Sequence, residues 1–224
     1  MHKLYSYSLC PFCRAVRFYL KEKGIDFELI ETNQWEKNNR FQNNDICIDL
    51  PVLEEGDRDR RLISGFLPIV GYFDEGNHMN RLTGVMTLDQ LEISRICEKF
   101  NTMFFADVTR PLIYEKVLKR YYSNRYPNST SIREAIDKLN DYMECVAWLF
   151  ERRNWLGGEE FSLADIVVAA HISCLDYLGI INWDNFIRVK DWYVRIKSRP
   201  AFKSILADKV HGVTCSDVYA ELDF

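Results

Sequence analysis

The hydrophobic positions change period along the chain, and the changes outline two regions. Residues 3–7 (KLYSY) read as a short strand. From Phe12 the apolar residues fall at helical spacing. Phe12, Ala15, Val16, Tyr19 and Leu20 share one face, and Arg14, Arg17 and Lys21 share the other, where solvated arginines are expected. Gly24 closes that helix. DFELIE (26–31) is a second strand, and the polar QWEKNNRFQNND (34–45) a short irregular helix. LPVLEE (50–55) is a third strand opened by Pro51, in hairpin with RRLIS (60–64), and the charged run Asp57–Arg61 is its solvated tip. LPIVGYFDE (67–75) is helical. The order is β-α-β-α-β-β-α.

A polar connection, GNHMNRLTG (76–84), leads into a region that is nearly all helix. Residues 87–105 form one long helix, and Pro111 breaks it before another over 111–123. Over 131–153, Ile132, Ile136, Leu139, Met143, Val146 and Phe150 form a stripe facing the core. The helix in FSLADIVVAAHISCL is apolar nearly all round, hence central and buried. It starts at Ser162, with Asp165 three residues on, in the pattern of a capping box. NFIRVKDWYVRIKSRP ends before Pro200, and AFKSILAD is a last short helix. In the tail, Val213, Val218, Tyr219, Leu222 and Phe224 can dock on the body. This gives an α+β chain with an N-terminal domain at 1–76, a linker at 77–86, an all-α domain at 87–210 and a tail at 211–224.

Composition narrows the function classes. A net charge of −4 argues against a nucleic-acid binder. No run approaches the roughly 18 apolar residues of a membrane span, and the first residues lack the pattern of a secretory leader. The seven cysteines then read as reduced thiols of a cytoplasmic protein, with Cys97, Cys145 and Cys174 in apolar, core-filling contexts. His171 falls on the buried central helix, as a hydrogen-bonded core histidine.

The chemistry concentrates in Cys10-Pro11-Phe12-Cys13. A metal site needs a second ligand pair. There is no other C-x-x-C, and His2, His78, His171 and His211 are scattered. A cysteine before proline at a helix start is placed where backbone amides favour an anion, so Cys10 is expected at the N-cap with a lowered pKa and Cys13 as a more buried resolving thiol. A C-x-x-C beside a β-α-β pattern reads as thioredoxin-like, and Pro51 stands where such folds carry a cis-proline facing the thiol.

LPVLEE, WLGGEEFSLADIVVAA and VKDWYVRIKSRPAF together resemble the glutathione S-transferase superfamily over about residues 3–208, with Ser162 and Asp165 at its structural capping motif. CPFC is similar to its glutaredoxin-like and omega-like members. That resemblance implies a thioredoxin-like domain plus a helical domain, a homodimer, and a glutathione-dependent thiol transferase or thiol–disulfide oxidoreductase. It assigns Cys10 as nucleophile, Cys13 as resolving thiol, and Leu50, Pro51 and Val52 as backbone contacts of glutathione. The sequence departs where the superfamily places an acid and a serine for the γ-glutamyl group: RLISGFLPIVGYF offers Ser64 and no acid. AAHISCLDYLG, DWYVRIKSRPAFKSILAD and the ending YAELDF are similar to the FtsZ-localised, glutathione transferase-like group of alphaproteobacteria. This second resemblance implies a non-enzymatic partner of FtsZ filaments in cell division. The stretch from Arg110 to Tyr126 interleaves Arg110, Lys116, Lys119, Arg120 and Arg125 with Tyr114, Tyr121, Tyr122 and Tyr126, a candidate surface for an acidic partner.

Overall fold

The computed structural model describes residues 1–32, 49–56, 61–75, 82–84, 86–123 and 125–222. The first region contains β1 (His2–Ser6), α1 (Pro11–Glu22), β2 (Phe27–Glu31), β3 (Val52–Glu55), β4 (Arg61–Ser64) and α2 (Phe66–Asp74). The strands form one sheet in the order β2-β1-β3-β4. β1 runs parallel to β2, with Leu4 opposite Leu29, and antiparallel to β3, with Leu4 opposite Leu53. A parallel pair needs a crossover, and α1 supplies it. The Leu50–Pro51 peptide that leads into β3 is cis. The helix expected at 34–45 and most of the charged hairpin tip lie outside the described residues.

The second region opens with α3 (Thr87–Lys99), which continues without interruption to Tyr122. The column widens into π-type turns at Phe100–Thr109, narrows at α4 (Arg110–Ile113), widens again at Tyr114–Leu118 and ends in α5 (Lys119–Tyr122). The expected break at Pro111 is therefore absent. The Arg110 amide reaches back five residues to the Phe105 carbonyl. That wide turn leaves room where the pyrrolidine ring would otherwise strike a carbonyl four residues back, and Pro111 sits in the first turn of α4, where it needs no amide hydrogen. Beyond it come α6 (Ser129–Leu149), capped by the Asn128 side chain, then α7 (Leu163–Tyr177), α8 (Ile187–Lys197) and α9 (Lys203–Leu206). None of the described helices is long and apolar enough to cross a membrane.

Every residue of α7 is buried. Its start is held as the sequence predicts: Ser162 and Asp165 form a capping box. The Asp165 carboxylate also accepts from the Leu156 amide (3.0 Å) and the Trp192 indole (2.9 Å), tying the preceding loop and α8 to the same cap. Gly157 is required by space, because a β-carbon there would lie 2.6 Å from Ser162 Oγ and 2.7 Å from Ile93 Cγ1.

Two expectations about exposure are corrected. Cys145 is exposed, whereas Cys97 and Cys174 are buried as expected. Arg14 and Arg17 are not solvated: they are 0% and 3% exposed, because α7 and the segment after α9 cover the outer face of α1. Arg14 donates to the Ser8 carbonyl (2.6 Å) and to Ser173 Oγ (2.9 Å). Arg17 binds both carboxylate oxygens of Asp208 at 2.8 Å and the Ser204 carbonyl at 2.9 Å. In the tail, Tyr219 docks fully and its hydroxyl donates to the Ile205 carbonyl. Leu222 is exposed, and Phe224 lies outside the described residues.

Candidate functional site

The loop from β1 to α1 turns at Tyr7, whose carbonyl accepts the Cys10 amide at 3.0 Å. That turn delivers Cys10 to the N-cap of α1 with Pro11 at the first position inside, as the sequence predicts. Cys10 Sγ accepts the Cys13 amide (3.4 Å), and Cys13 Sγ accepts the Tyr7 amide (3.5 Å). Both are free thiols, Cys10 7% exposed and Cys13 fully buried.

The expected lowering of the Cys10 pKa is reversed. The hydrogen bond to Cys13 and then burial hold the Cys10 thiol well above the usual range, against the Cys13 and Phe12 amides. For Cys13, burial pushes upward, but the hydrogen bond from Cys10, the Tyr7 amide and the charge of Arg17 bring it below the usual range. The physical reason is local: Cys10 and Cys13 hydrogen-bond to one another, and that bond together with burial outweighs the two backbone amides at the cap.

A third thiol stands nearby. Cys174 of α7 donates to the Leu9 carbonyl at 3.4 Å, and burial pushes its pKa up to about 12. It shares one apolar cluster with Tyr7, Leu9, Cys10, Cys13, Tyr177 and Tyr219, against which Leu50 packs. Leu50 thus joins the thiols across the two strands. Val52 lies between Tyr5 and Ser64 in the sheet, so the four residues assigned to glutathione contact are neighbours at one corner.

The far end of that corner is less well furnished. Ser64 donates its hydroxyl to the Asp49 carbonyl (2.7 Å), and the next residue is Gly65, whose φ of 93° is open chiefly to glycine. Ser162 and Asp165 stand apart from the thiols, at the start of α7, and serve the fold.

Beside Cys10 lies a cavity of about 290 Å³ that the sequence did not announce. Tyr7, Leu9, Cys10 and Pro11 line one side. Phe105, Arg110, Ile113, Tyr114 and Leu118 line the other, all from the wide-turned column. The signal for it is visible only in hindsight, as a proline in mid-helix flanked by residues spaced five and four apart. His171 adjoins this wall: Phe12, Phe104 and Phe105 approach its ring edge-on, and its nitrogens meet Thr109 Oγ1 (3.0 Å) and Asn101 Oδ1 (3.3 Å). Burial draws its pKa down to about 3, so it is the neutral, hydrogen-bonded core histidine expected.

Residues 4–78 match the glutathione S-transferase N-terminal domain, and residues 109–200 the glutathione S-transferase C-terminal domain. FtsZ-localized protein A of Caulobacter vibrioides is 32% identical over 222 residues, spanning 99% of this chain and 97% of that protein. The solved structure of FzlA from C. crescentus superposes with a TM-score of 0.93 over 100% of this chain and 99% of its own, at 32% identity. A crystal structure of a glutathione S-transferase from Sinorhizobium meliloti does so with a TM-score of 0.92 over 100% of both chains, at 37% identity. The capping box, the cis Leu50–Pro51 bond and these full-length likenesses agree, and the chain belongs to the glutathione S-transferase family.

Proposed function

We propose that this protein works in cell division as a partner of FtsZ polymer, on a glutathione S-transferase scaffold whose thiol pair is at rest. The observation that carries this reading is the likeness to an FtsZ-localised protein over the whole chain, tail included. The site favours it in two ways. Cys10 is nearly buried with a raised pKa, the opposite of an activated nucleophile, and the Ser64 hydroxyl is already engaged by the Asp49 carbonyl. The contact surface is the end of the helical column and the segment after it. Lys116, Arg120 and Arg125 are exposed there beside Tyr122 and Tyr126, the last 94% exposed, a basic and aromatic ridge suited to an acidic partner. In this reading the protein is a cytoplasmic homodimer, whose mass in light scattering should be twice that of the chain. Co-sedimentation with FtsZ polymer tests the reading: binding should fall with rising salt and be lost in Lys116→Glu/Arg125→Glu. Absence of co-sedimentation at low salt overturns it.

One arrangement favours a second reading, thiol–disulfide exchange with glutathione as co-substrate: a C-x-x-C pair at a helix N-terminus beside a cavity. In that reaction the Cys10 thiolate attacks a disulfide sulfur and forms a mixed disulfide, and one thiolate leaves. Cys13 then attacks Cys10 Sγ, and the second thiol departs as the Cys10–Cys13 disulfide forms. Calorimetric titration with glutathione, alongside alkylation of Cys10→Ser and the native chain, tests it. No heat of binding and no Cys10-dependent exchange would remove it.

A further inference from the structure

After α9 the described chain runs on to residue 222 in turns and one isolated bridge, with no further helix or strand. Its pattern has a period of three. Val210 and Tyr219 are buried, Val213 and Ser216 half-buried, and His211, Thr214, Cys215 and Asp217 between them exposed. The period comes from successive tight turns. The Val213 amide donates to the Val210 carbonyl (3.1 Å), Tyr219 to Ser216 (3.0 Å) and Glu221 to Val218 (3.2 Å). Bonds that reach three residues back bring positions i and i+3 to one side, so one edge of the segment faces the body throughout.

Two residues of the body hold that edge. At the end of α7 the Tyr177 hydroxyl accepts the Val210 amide (3.0 Å) and donates to the Val213 carbonyl (3.2 Å), and the Tyr177 carbonyl accepts the Ser216 amide (2.9 Å). At the end of α8 the fully buried Lys197 donates to the Val218 carbonyl (3.2 Å) and the Glu221 carbonyl (3.1 Å), and it pairs with Asp176 of α7 at 3.3 Å. An ammonium taken out of water must be met by fixed acceptors, and here two of them are tail carbonyls. The Tyr219 ring lies between the two holds, with Arg14 and Lys197 5.8 and 6.0 Å from its centre. Val210 and Tyr219 belong to the same apolar cluster as Cys10, Cys13 and Cys174, and Val213 packs against it.

We propose that residues 210–221 are a strap that opens as one unit while the helices stay folded, that Tyr177 and Lys197 are its two catches, and that this opening is the route by which solutes reach Cys174. The segment has what a separate opening requires. Most of its outer side is in water, and it is fastened to the body at a few points rather than woven into a sheet or bundle. Closed, its inner edge walls the cluster that holds the three thiols. Opening also releases Arg120 and Tyr121, whose side chains bind the Gly212 and His211 carbonyls, so the state of the strap reaches the end of the helical column as well. The inference stands on these contacts and rests on neither functional reading.

Hydrogen exchange of the full native chain in low concentrations of urea, beside labelling of its thiols with N-ethylmaleimide, tests the proposal. The Val213, Ser216, Tyr219 and Glu221 amides should exchange together, at least about a hundredfold faster than those of residues 166–170 in the centre of α7, and with a much weaker dependence on urea, because little surface is exposed. Cys174 should be labelled faster than Cys97, which is buried in the main core. Tyr177→Phe keeps the ring and removes both hydroxyl bonds, so it should speed the strap amides and Cys174 about tenfold, and Lys197→Met should do the same. Leu139→Ala, in the core face of α6, should speed residues 166–170 and Cys97 and leave the strap amides and Cys174 unchanged. Strap amides that share the rate and urea dependence of α7 overturn the separate opening, a result that needs no variant. Strap exchange unmoved by Tyr177→Phe and Lys197→Met overturns the catches, and Cys174 labelled no faster than Cys97 overturns the route.

Discussion

Two sets of arginines less than a hundred residues apart in sequence have opposite situations. Arg14 and Arg17 are sealed between α1, α7 and the segment after α9, and each is tied to Asp208 and to backbone or hydroxyl oxygens. Arg110 stands in solvent at a cavity rim, and among the described residues it has no partner. Burial explains the difference. A guanidinium removed from water must be met by fixed acceptors or the fold is lost, so its partners are internal and permanent. An exposed guanidinium keeps its water and is available to a ligand. Charge near the thiols therefore serves assembly where it is buried, and keeps its water where it is not.

The contrast can be broken most strongly at the sealed end. Asp208→Asn leaves two arginines without their carboxylate, and should destabilise the protein by about 3–5 kcal/mol in urea unfolding. A loss as small as that of a surface pair would mean the two domains are not joined through Arg14 and Arg17. The next effect is on pH dependence. His171 stays neutral in the folded chain to about pH 3, while the unfolded chain takes up its proton near 6.5, so its contribution to stability is present above 6.5 and lost as the pH falls. Asp165 runs the other way. Burial raises its pKa from 3.8 to about 6, so its contribution is present below 3.8 and lost as the pH rises to 6. Between about pH 4 and 6 the two nearly cancel. His171→Asn should therefore expose a slope of up to about 1.4 kcal/mol per pH unit falling toward neutrality, and Asp165→Asn the opposite slope. Parallel curves for native and variant chains would refute both assignments. A smaller effect concerns the thiols: iodoacetamide should modify Cys10 more slowly than free cysteine at pH 7 and accelerate as the pH rises beyond the usual thiol range. At the other end of the comparison, Arg110→Gln should change stability by no more than about 0.5 kcal/mol, as an exposed residue without partners does. A larger loss would place Arg110 with Arg14 and Arg17.

Much of this was legible in the sequence wherever one residue type has few physical alternatives. Ser162 and Asp165 announced a helix start, Pro51 a constrained strand entry, and Cys10-Pro11 a helix N-cap, because caps and prolines act through the adjacent backbone alone. What depended on distant neighbours was not legible. The outer face of α1 looks solvated from its own spacing, and only the later helices bury it. Cys145 shares its apolar surroundings in sequence with Val146 yet points outward. The Cys10 pKa could not be read from its position at the cap, since Cys13 and burial outweigh the amides there. Pro111 misled for a related reason: it breaks a regular helix, and the turn before it is not regular.

That turn also sets a count. Between Phe105 and Pro111 the column holds one residue more than a uniform helix needs, and everything downstream is phased by it. Drawn into a uniform helix with the same number of residues, the stretch would keep its composition, charge and hydrophobicity, yet carry Arg110 about 140° from Phe105 and away from the cavity. The wide turn works as a spacer whose length, rather than its chemistry, carries the information.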